Sequence, residues 1–293
     1  MQSTGPLRFR PLQGVRVLSL ALNLPGPAAL LRCRLMGARC SKIEPPAGDP
    51  MLAFNPSAYV QLHDHIRVLK LDLKSKAGLS RLHQALTRCD VLLTSFRPSA
   101  LRRLGLGWRA LHRTYPQLSQ VAIVGGPGAQ AEIPGHDLTY LAEHDLVSEL
   151  NLPTTLFADM SGALMASEAV LQAVLHQRMH GQGVYREVAL SQAAAWLALP
   201  RAWGLTQAKG VVGGAHAGYK VYACKDGRVC VAALEPHFAK GLCEAAGISA
   251  SDFKAMNAAT THQALTKFFQ SRTRKQLEKL ASQNDLPLHT LPR

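Results

Sequence analysis

Residues 15–44, VRVLSLALNLPGPAALLRCRLMGARCSKIE, decide the fold class of this chain. The run at 15–20 is apolar and rich in strand-forming residues, so it predicts a β-strand. After a break that contains proline and glycine, 28–36 has a helical composition, and Gly37 stands where helices commonly end. Residues 40–44 resume as a strand. One β-α-β unit of this kind predicts two neighbouring parallel strands.

The same alternation continues beyond this unit. Further strands are predicted at 68–73, 91–94, 121–124 and 186–190, and helices at 78–87, 101–104, 108–115 and 161–180. Strands that alternate with helices predict an α/β fold with a parallel sheet. The first strand is not followed by G-x-G-x-x-G, so dinucleotide binding is not predicted.

The composition changes after about residue 200. A glycine-rich segment at 210–218 predicts a loop or hinge. Two strand-like runs, 219–224 and 228–234, flank an Asp-Gly pair that favours a hairpin. Helical segments follow near 237–246 and 263–283. We therefore predict a large domain over 1–200, a linker over 201–218 and a small α+β domain over 219–293.

Composition limits the class of protein. With 293 residues, 47% of them hydrophobic, the chain can bury a substantial core and is not disordered. The six cysteines form no C-x-x-C pair, so neither a metal site nor a redox motif is predicted. The polar start of the chain is unlike a signal peptide, and no apolar run is long enough to span a bilayer. We expect a cytoplasmic protein without a membrane partner.

The net charge of +14 is compatible with nucleic acid, a membrane surface or a small anion. The basic residues are dispersed in several clusters, and no zinc-finger spacing or aromatic-rich basic strand accompanies them. Nucleic acid is therefore not predicted as a partner, and a basic surface that only keeps the protein soluble explains the charge as well as a ligand does.

Several segments together carry a family resemblance. They are residues 12–50, which end in EPPAGDP, LDLK at 71–74, VLLTSFRP at 91–98, LGLG at 104–107, GHDLTY at 135–140, ADMSG at 158–162, GQGVYREVAL at 181–190 and YKVYACKDGRVCVAALEP at 219–236. In order and spacing they resemble the family III CoA-transferases (CaiB/BaiF), which include the α-methylacyl-CoA racemases. The resemblance extends from residue 12 to about 247.

This resemblance implies more than the periodicity does. It implies a Rossmann-like large domain, a small domain on long linkers, and interlocked homodimers. The acyl-CoA would bind between the large domain and the small domain of the partner subunit. Coenzyme A is then part of the substrate, and no tightly bound cofactor is expected.

Asp159 matches the catalytic aspartate of the family. In the transferases this carboxylate attacks the thioester carbonyl and releases CoA, which leaves a mixed anhydride. The CoA returns to form an aspartyl-CoA thioester, and an incoming carboxylate then takes the CoA. A carboxylate suits that role because it is ionised at neutral pH and its anhydride stays reactive. By position alone, an Asp just before the helix at 161–180 would be a helix N-cap.

His136 matches the histidine that the racemases use opposite the aspartate, and Glu235 matches a glutamate that orients it. Racemisation needs two acid/base groups on opposite faces of the α-carbon, and a His–Asp pair can supply them. The enolate oxygen needs donors, for which we expect backbone N–H groups near Asp159. Alternatively, His136 is a loop histidine that bonds its neighbour Asp137, and Glu235 is an exposed acid.

The resemblance also suggests residues that contact CoA. Arg97 suits phosphate or adenine contacts through its planar guanidinium. Pro25 and Gly26 would shape the turn near the CoA, and Asp137 is grouped with them. The EPPAGDP loop, with Glu44 and Asp49, resembles a CoA-contacting or architectural landmark.

Three functions remain open at this point. We predict CoA transfer through Asp159, because many members of the superfamily perform it and it needs only this residue. The first alternative is racemisation of a 2-methylacyl-CoA by His136 and Asp159, which the matches at His136 and Glu235 support. The chain stops at Arg293, earlier than family members that return a C-terminal segment to the large domain, so a non-catalytic acyl-CoA-binding homologue is the third hypothesis.

Overall fold

The computed structural model describes residues 9–249 and 252–293. The chain divides into two compact units, the first ending at Ala198 and the second running from Leu199 to Arg293. Each unit has its own hydrophobic core. None of the described helices is both long and apolar enough to cross a membrane.

Over the described residues, the first unit holds a sheet of six parallel strands. They are β1 (Arg16–Ser19), β2 (Arg39–Glu44), β3 (Arg67–Lys70), β4 (Val91–Thr94), β5 (Ser119–Val124) and β6 (Tyr185–Ala189). Their order across the sheet is β3-β2-β1-β4-β5-β6, so the predicted parallel α/β fold is confirmed. The order reverses between β1 and β4, and such a reversal opens a crevice at the carboxyl ends of the strands.

Helices cover both faces of this sheet. They are α1 (Pro25–Leu35), α2 (Pro50–Phe54), α3 (Pro56–Leu62), α4 (Lys76–Leu86), α5 (Pro98–Arg103), α6 (Trp108–Thr114), α7 (Asp137–Ala142), α8 (Phe157–His180) and α9 (Leu190–Leu197). Val17 packs with α1 and α8, and its neighbour Leu18 packs with α4, α5 and α6 on the other face. Burial on both faces explains why the central strands are almost continuously apolar.

The second unit is α+β. Its described strands, β7 (Tyr219–Cys224), β8 (Gly227–Ala232) and β9 (Leu288–Leu291), form an antiparallel sheet in that order. Its described helices are α10 (Leu199–Ala202), α11 (Pro236–Ala246), α12 (Phe253–Met256), α13 (Ala259–Gln270) and α14 (Arg274–Asn284). The predicted hairpin is confirmed, because β7 and β8 pair with Cys224 opposite Gly227.

The helix predicted at 263–283 is two helices, α13 and α14. Thr273 begins α14, and its hydroxyl oxygen accepts the Gln276 N–H at 3.3 Å. The Gln276 side chain in turn accepts the Thr273 N–H at 2.8 Å. Two reciprocal bonds of this kind form a capping box, which starts a new helix within a continuously helical composition.

Candidate active site

A cavity of about 240 Å³ lies where the strand order reverses. The segments that follow β1, β4 and β5 line it, together with residues before α7 and in the first turn of α8. It brings together Pro25, Arg97, His136 and Asp159, four of the residues that the sequence singles out. Open α/β sheets bind ligands at this place, so fold and sequence indicate the same site.

Asp159 is the third residue of α8, not the residue before it. The helix begins four residues earlier than predicted, at Phe157, and Leu156 occupies the N-cap position. Asp159 is therefore not a helix N-cap, and among the described residues its carboxylate has no hydrogen-bond partner. Burial, followed by the nearby charge of Asp137, raises the pKa of Asp159 to about 6, and His136 partly opposes the shift.

Asp137 positions the backbone of Asp159. It is only 4% exposed, and its carboxylate accepts the Asp159 N–H at 2.9 Å. The sequence groups Asp137 with the CoA-contacting residues, whereas its burial and this bond favour a positioning role. The same bond occupies the N–H of Asp159, so a donor to an enolate oxygen must come from another group.

His136 stands immediately before α7 and is exposed. Its N–H donates to the Thr139 hydroxyl oxygen at 3.1 Å, and that hydroxyl donates to the His136 carbonyl at 2.8 Å. These bonds fix the backbone at the helix start while the imidazole lines the cavity.

Tyr140 is a cavity residue to which the sequence assigned no role. It is 7% exposed, and two glycines make room for its ring. A Cβ at Gly125 would lie 2.5 Å from the Tyr140 hydroxyl, and one at Gly135 would lie 2.6 Å from its Cε1. Burial, then the charge of Asp159, raises the Tyr140 pKa, so its phenol stays protonated and can donate to an anionic oxygen. One sequence feature could have indicated Tyr140: it lies four residues after His136, and residues with that spacing lie on the same side of a helix.

The other predicted site residues, Pro25, Gly26, Arg97 and Glu235, lie in three separate segments of the chain. Pro25 and Gly26 begin α1 and are buried; a Cβ at Gly26 would lie 2.2 Å from the Ala21 Cβ. Arg97 is exposed and precedes α5, where it lines the cavity. Glu235 belongs to the second unit and precedes α11, and its action on His136 stays a prediction.

A second cavity of the first unit, about 470 Å³, lies at the carboxyl ends of β2 and β3. Pro45, Pro46, Lys74 and Arg103 line it, and Phe96 lines both cavities. The acidic Glu44 and Asp72 line it as well. Its apolar walls suit the ring face of a nucleotide, and its two basic side chains suit the phosphates.

One cluster in the described part of the chain has the residue types of a metal site. Ligand atoms of Glu44, Asp49 and His63 lie within 4.8 Å of one another. The Lys42 ammonium lies among them, however, 3.1 Å from Glu44 Oε1 and 3.0 Å from His63 Nε2, and it also donates to Asp49. Because this ammonium already supplies the positive charge, we assign no metal to the cluster.

The fold and the cavity define an α/β protein with a cavity at the topological switch point of its sheet. Residues 12–292 match CoA-transferase family III, and the chain belongs to that family.

Two curated relatives carry the names of two different activities. The human alpha-methylacyl-CoA racemase is 27% identical in an alignment of 259 residues that covers 82% of this chain and 66% of the racemase. Cinnamoyl-CoA:phenyllactate CoA-transferase from Clostridium sporogenes is 30% identical in an alignment of 213 residues that covers 60% of this chain and 52% of that enzyme. The chain thus spans between about half and about two thirds of the length of these relatives.

Solved structures share the fold. A CAIB/BAIF family protein from Brucella suis superposes with a TM-score of 0.79 at 23% identity, covering 97% of this chain and 84% of that one. The hypothetical protein Rv3272 from Mycobacterium tuberculosis gives a TM-score of 0.83 at 24% identity, with coverages of 96% and 84%.

Proposed function

We propose that this protein acts on an acyl-CoA thioester and moves a proton at the carbon next to the thioester carbonyl. The observation that carries the proposal is the shared cavity of His136 and Asp159, in which the Asp159 pKa is raised to about 6. A carboxyl group that titrates near neutral pH can both accept and return a proton, which an ordinary surface aspartate does poorly.

In this mechanism one of the two residues removes the α-proton and the other delivers a proton to the opposite face. The thioester acidifies the α-hydrogen, and negative charge moves to the carbonyl oxygen as the proton leaves. The Tyr140 phenol, which lines the same cavity and stays protonated, is the donor that we propose for this oxygen. The product is the epimer of the substrate, and no other reactant is consumed.

We propose that the larger cavity beside Phe96 takes the nucleotide portion of CoA. Lys74 and Arg103 would meet its phosphates, and Arg97 would meet the part of CoA that leads to Asp159. The homodimer that the resemblance implies belongs to this proposal, since a partner subunit would complete the site. In such a site, the Glu235 carboxylate would orient the imidazole of His136.

CoA transfer is the second candidate, and one observation favours it. The Asp159 carboxylate lines the cavity without a hydrogen-bond partner among the described residues, so it is available to attack a carbonyl carbon. Its pKa of about 6 leaves most of it ionised at pH 7, as a nucleophile requires. The relative from Clostridium sporogenes is a transferase by name.

Mass spectrometry of the intact protein separates the two candidates. After incubation with a 2-methylacyl-CoA and a carboxylate acceptor, proton transfer predicts an unmodified protein and an epimerised thioester. An acyl or CoA adduct that disappears in Asp159→Asn would favour transfer instead. A protein that binds the thioester without either result would be a non-catalytic homologue.

A further inference from the structure

Lys42 is a lysine on the central sheet whose side chain has no exposed surface at all. A buried ammonium is tolerated only when acceptors compensate for the water it has lost, and it has three N–H groups to satisfy. The structure supplies three acceptors: Glu44 Oε1 at 3.1 Å, His63 Nε2 at 3.0 Å, and Asp49 Oδ2. The ammonium is therefore held on three sides.

His63 can serve as an acceptor because of its second ring nitrogen. Its Nδ1 lies 2.7 Å from the Tyr59 carbonyl oxygen, which can only accept, so the proton is on Nδ1 and Nε2 has a free lone pair. Burial lowers the His63 pKa, which keeps the ring neutral. The Tyr59 hydroxyl donates to Glu44 Oε1 at 2.8 Å and fixes that carboxylate from the other side.

The other oxygen of the fixed Asp49 carboxylate bonds the backbone of a turn that lines the cavity. Asp49 Oδ1 accepts the N–H of Asn23 at 3.0 Å and the N–H of Met51 at 2.9 Å. Asn23 has a positive φ of 64°, a conformation that needs support from its surroundings. It lies in the turn between β1 and α1, and that turn forms one wall of the Asp159 cavity.

We infer that Lys42 is a positioning residue: by orienting Asp49, it holds the Asn23 turn in the shape that the Asp159 cavity requires. The structural part of this inference stands by itself, and its effect on turnover rests on the proposed function. Lys42 touches no reacting atom, so its effect on the Asp159 cavity passes through Asp49 and the turn.

Amide hydrogen exchange at Asn23, measured without substrate, tests the structural part. In Lys42→Met two carboxylates face each other in the interior without their cation, so we expect the Asn23 N–H to exchange at least about tenfold faster. The exposed Lys76→Met is the matched control and should exchange at the original rate. Protection of Val91–Thr94 reports that the sheet is intact.

Rescue and a milder variant complete the test. Lys42→Met/Asp49→Asn keeps an acceptor oxygen and removes one of the facing charges, so protection at Asn23 should largely return. If Lys42→Met fails to fold, His63→Leu removes one acceptor and keeps the ion pairs. We expect it to speed exchange about threefold, whereas His63→Gln, which retains an acceptor, should not.

Kinetics test the consequence for turnover. Because the Asn23 turn borders the Asp159 cavity, Lys42→Met should lower kcat about tenfold. Unchanged exchange at Asn23 in both Lys42→Met and His63→Leu would overturn the inference. Faster exchange with unchanged kcat would show that the turn does not serve the site. If the unsubstituted protein turns over no thioester, the proposed function fails, and exchange alone decides the role of Lys42.

Discussion

The carboxylate of Asp137 accepts the backbone N–H of Asp159 at 2.9 Å, across 22 residues of sequence. This bond ties the start of α7 to the first turn of α8. It also places two carboxyl groups close together in a partly buried setting, which contributes to the raised pKa of Asp159 after burial itself. Asp137 therefore affects Asp159 both through geometry and through charge.

Asp137→Asn separates these two effects. The amide oxygen can still accept the Asp159 N–H, but the like charge is gone, so ionisation of Asp159 becomes easier and its pKa falls from about 6 toward 3.8. The acid limb of the pH profile of kcat/KM should move to lower pH. Glu143→Gln, which removes an exposed carboxylate nearby, is the control. A limb that stays in place would exclude Asp137 as a cause of the raised pKa.

We expect ionised Asp159 to lower the free energy of unfolding at neutral and higher pH. Its folded pKa of about 6 lies above the ordinary value of 3.8, so the folded protein binds this proton more tightly than the unfolded chain. The penalty is absent below pH 3.8, grows as the pH rises, and is complete above pH 6. Asp159→Asn should stabilise the protein by about 1–3 kcal/mol at pH 8 and by much less at pH 4. Urea unfolding at both pH values measures this, and an equal effect at the two would contradict it.

We expect position 26 to require glycine, because its backbone packs closely against Ala21. A Cβ at Gly26 would lie 2.2 Å from the Ala21 Cβ, and neither atom belongs to a flexible side chain. Gly26→Ala should therefore destabilise the protein by about 1–3 kcal/mol. Exchanging the two residues, Ala21→Gly/Gly26→Ala, removes the clash and should recover part of the loss. A double variant that is no more stable than the single one would show that another contact excludes the methyl group.

Arg97 should contribute to binding of the CoA ester. It is exposed at the mouth of the Asp159 cavity and can contact an anionic ligand through its guanidinium. Arg97→Ala should raise KM about tenfold, Arg97→Lys should raise it less, and kcat should change little. Arg113→Ala removes an equal charge from exposed α6 and serves as the control. Equal effects at both positions would mean that only net charge matters.

The strands of the parallel sheet could be predicted from sequence because each one is a short run of apolar, strand-forming residues. Residues 91–94 were predicted as a strand and form β4 with those bounds, since all four side chains are buried and strand-forming. β9 was not predicted, because the four residues of Leu288–Leu291 become a strand only by pairing with β8. The start of α8 was placed too late, since Asp159 in its first turn resembles a helix N-cap.

The candidate site could be predicted only in part. Asp159 and His136 follow from the family resemblance, and the cavity brings them together. The roles of Asp137 and Tyr140 depend on contacts between segments about 20 residues apart. Nothing in the sequence indicated a buried position for Lys42, because a lysine on a strand is ordinarily exposed. Only the folded chain surrounds it with Glu44, Asp49 and His63.

Exchange of the α-hydrogen in deuterated water is the most direct test of the proposed proton transfer. Both epimers of a 2-methylacyl-CoA are incubated with the protein, and deuterium at the α-carbon is measured by mass spectrometry. The unsubstituted protein should label and interconvert both epimers, while His136→Ala and Asp159→Asn should each lose interconversion by at least about a hundredfold. Absence of α-exchange together with a covalent adduct at Asp159, or exchange that persists in both variants, would contradict the account.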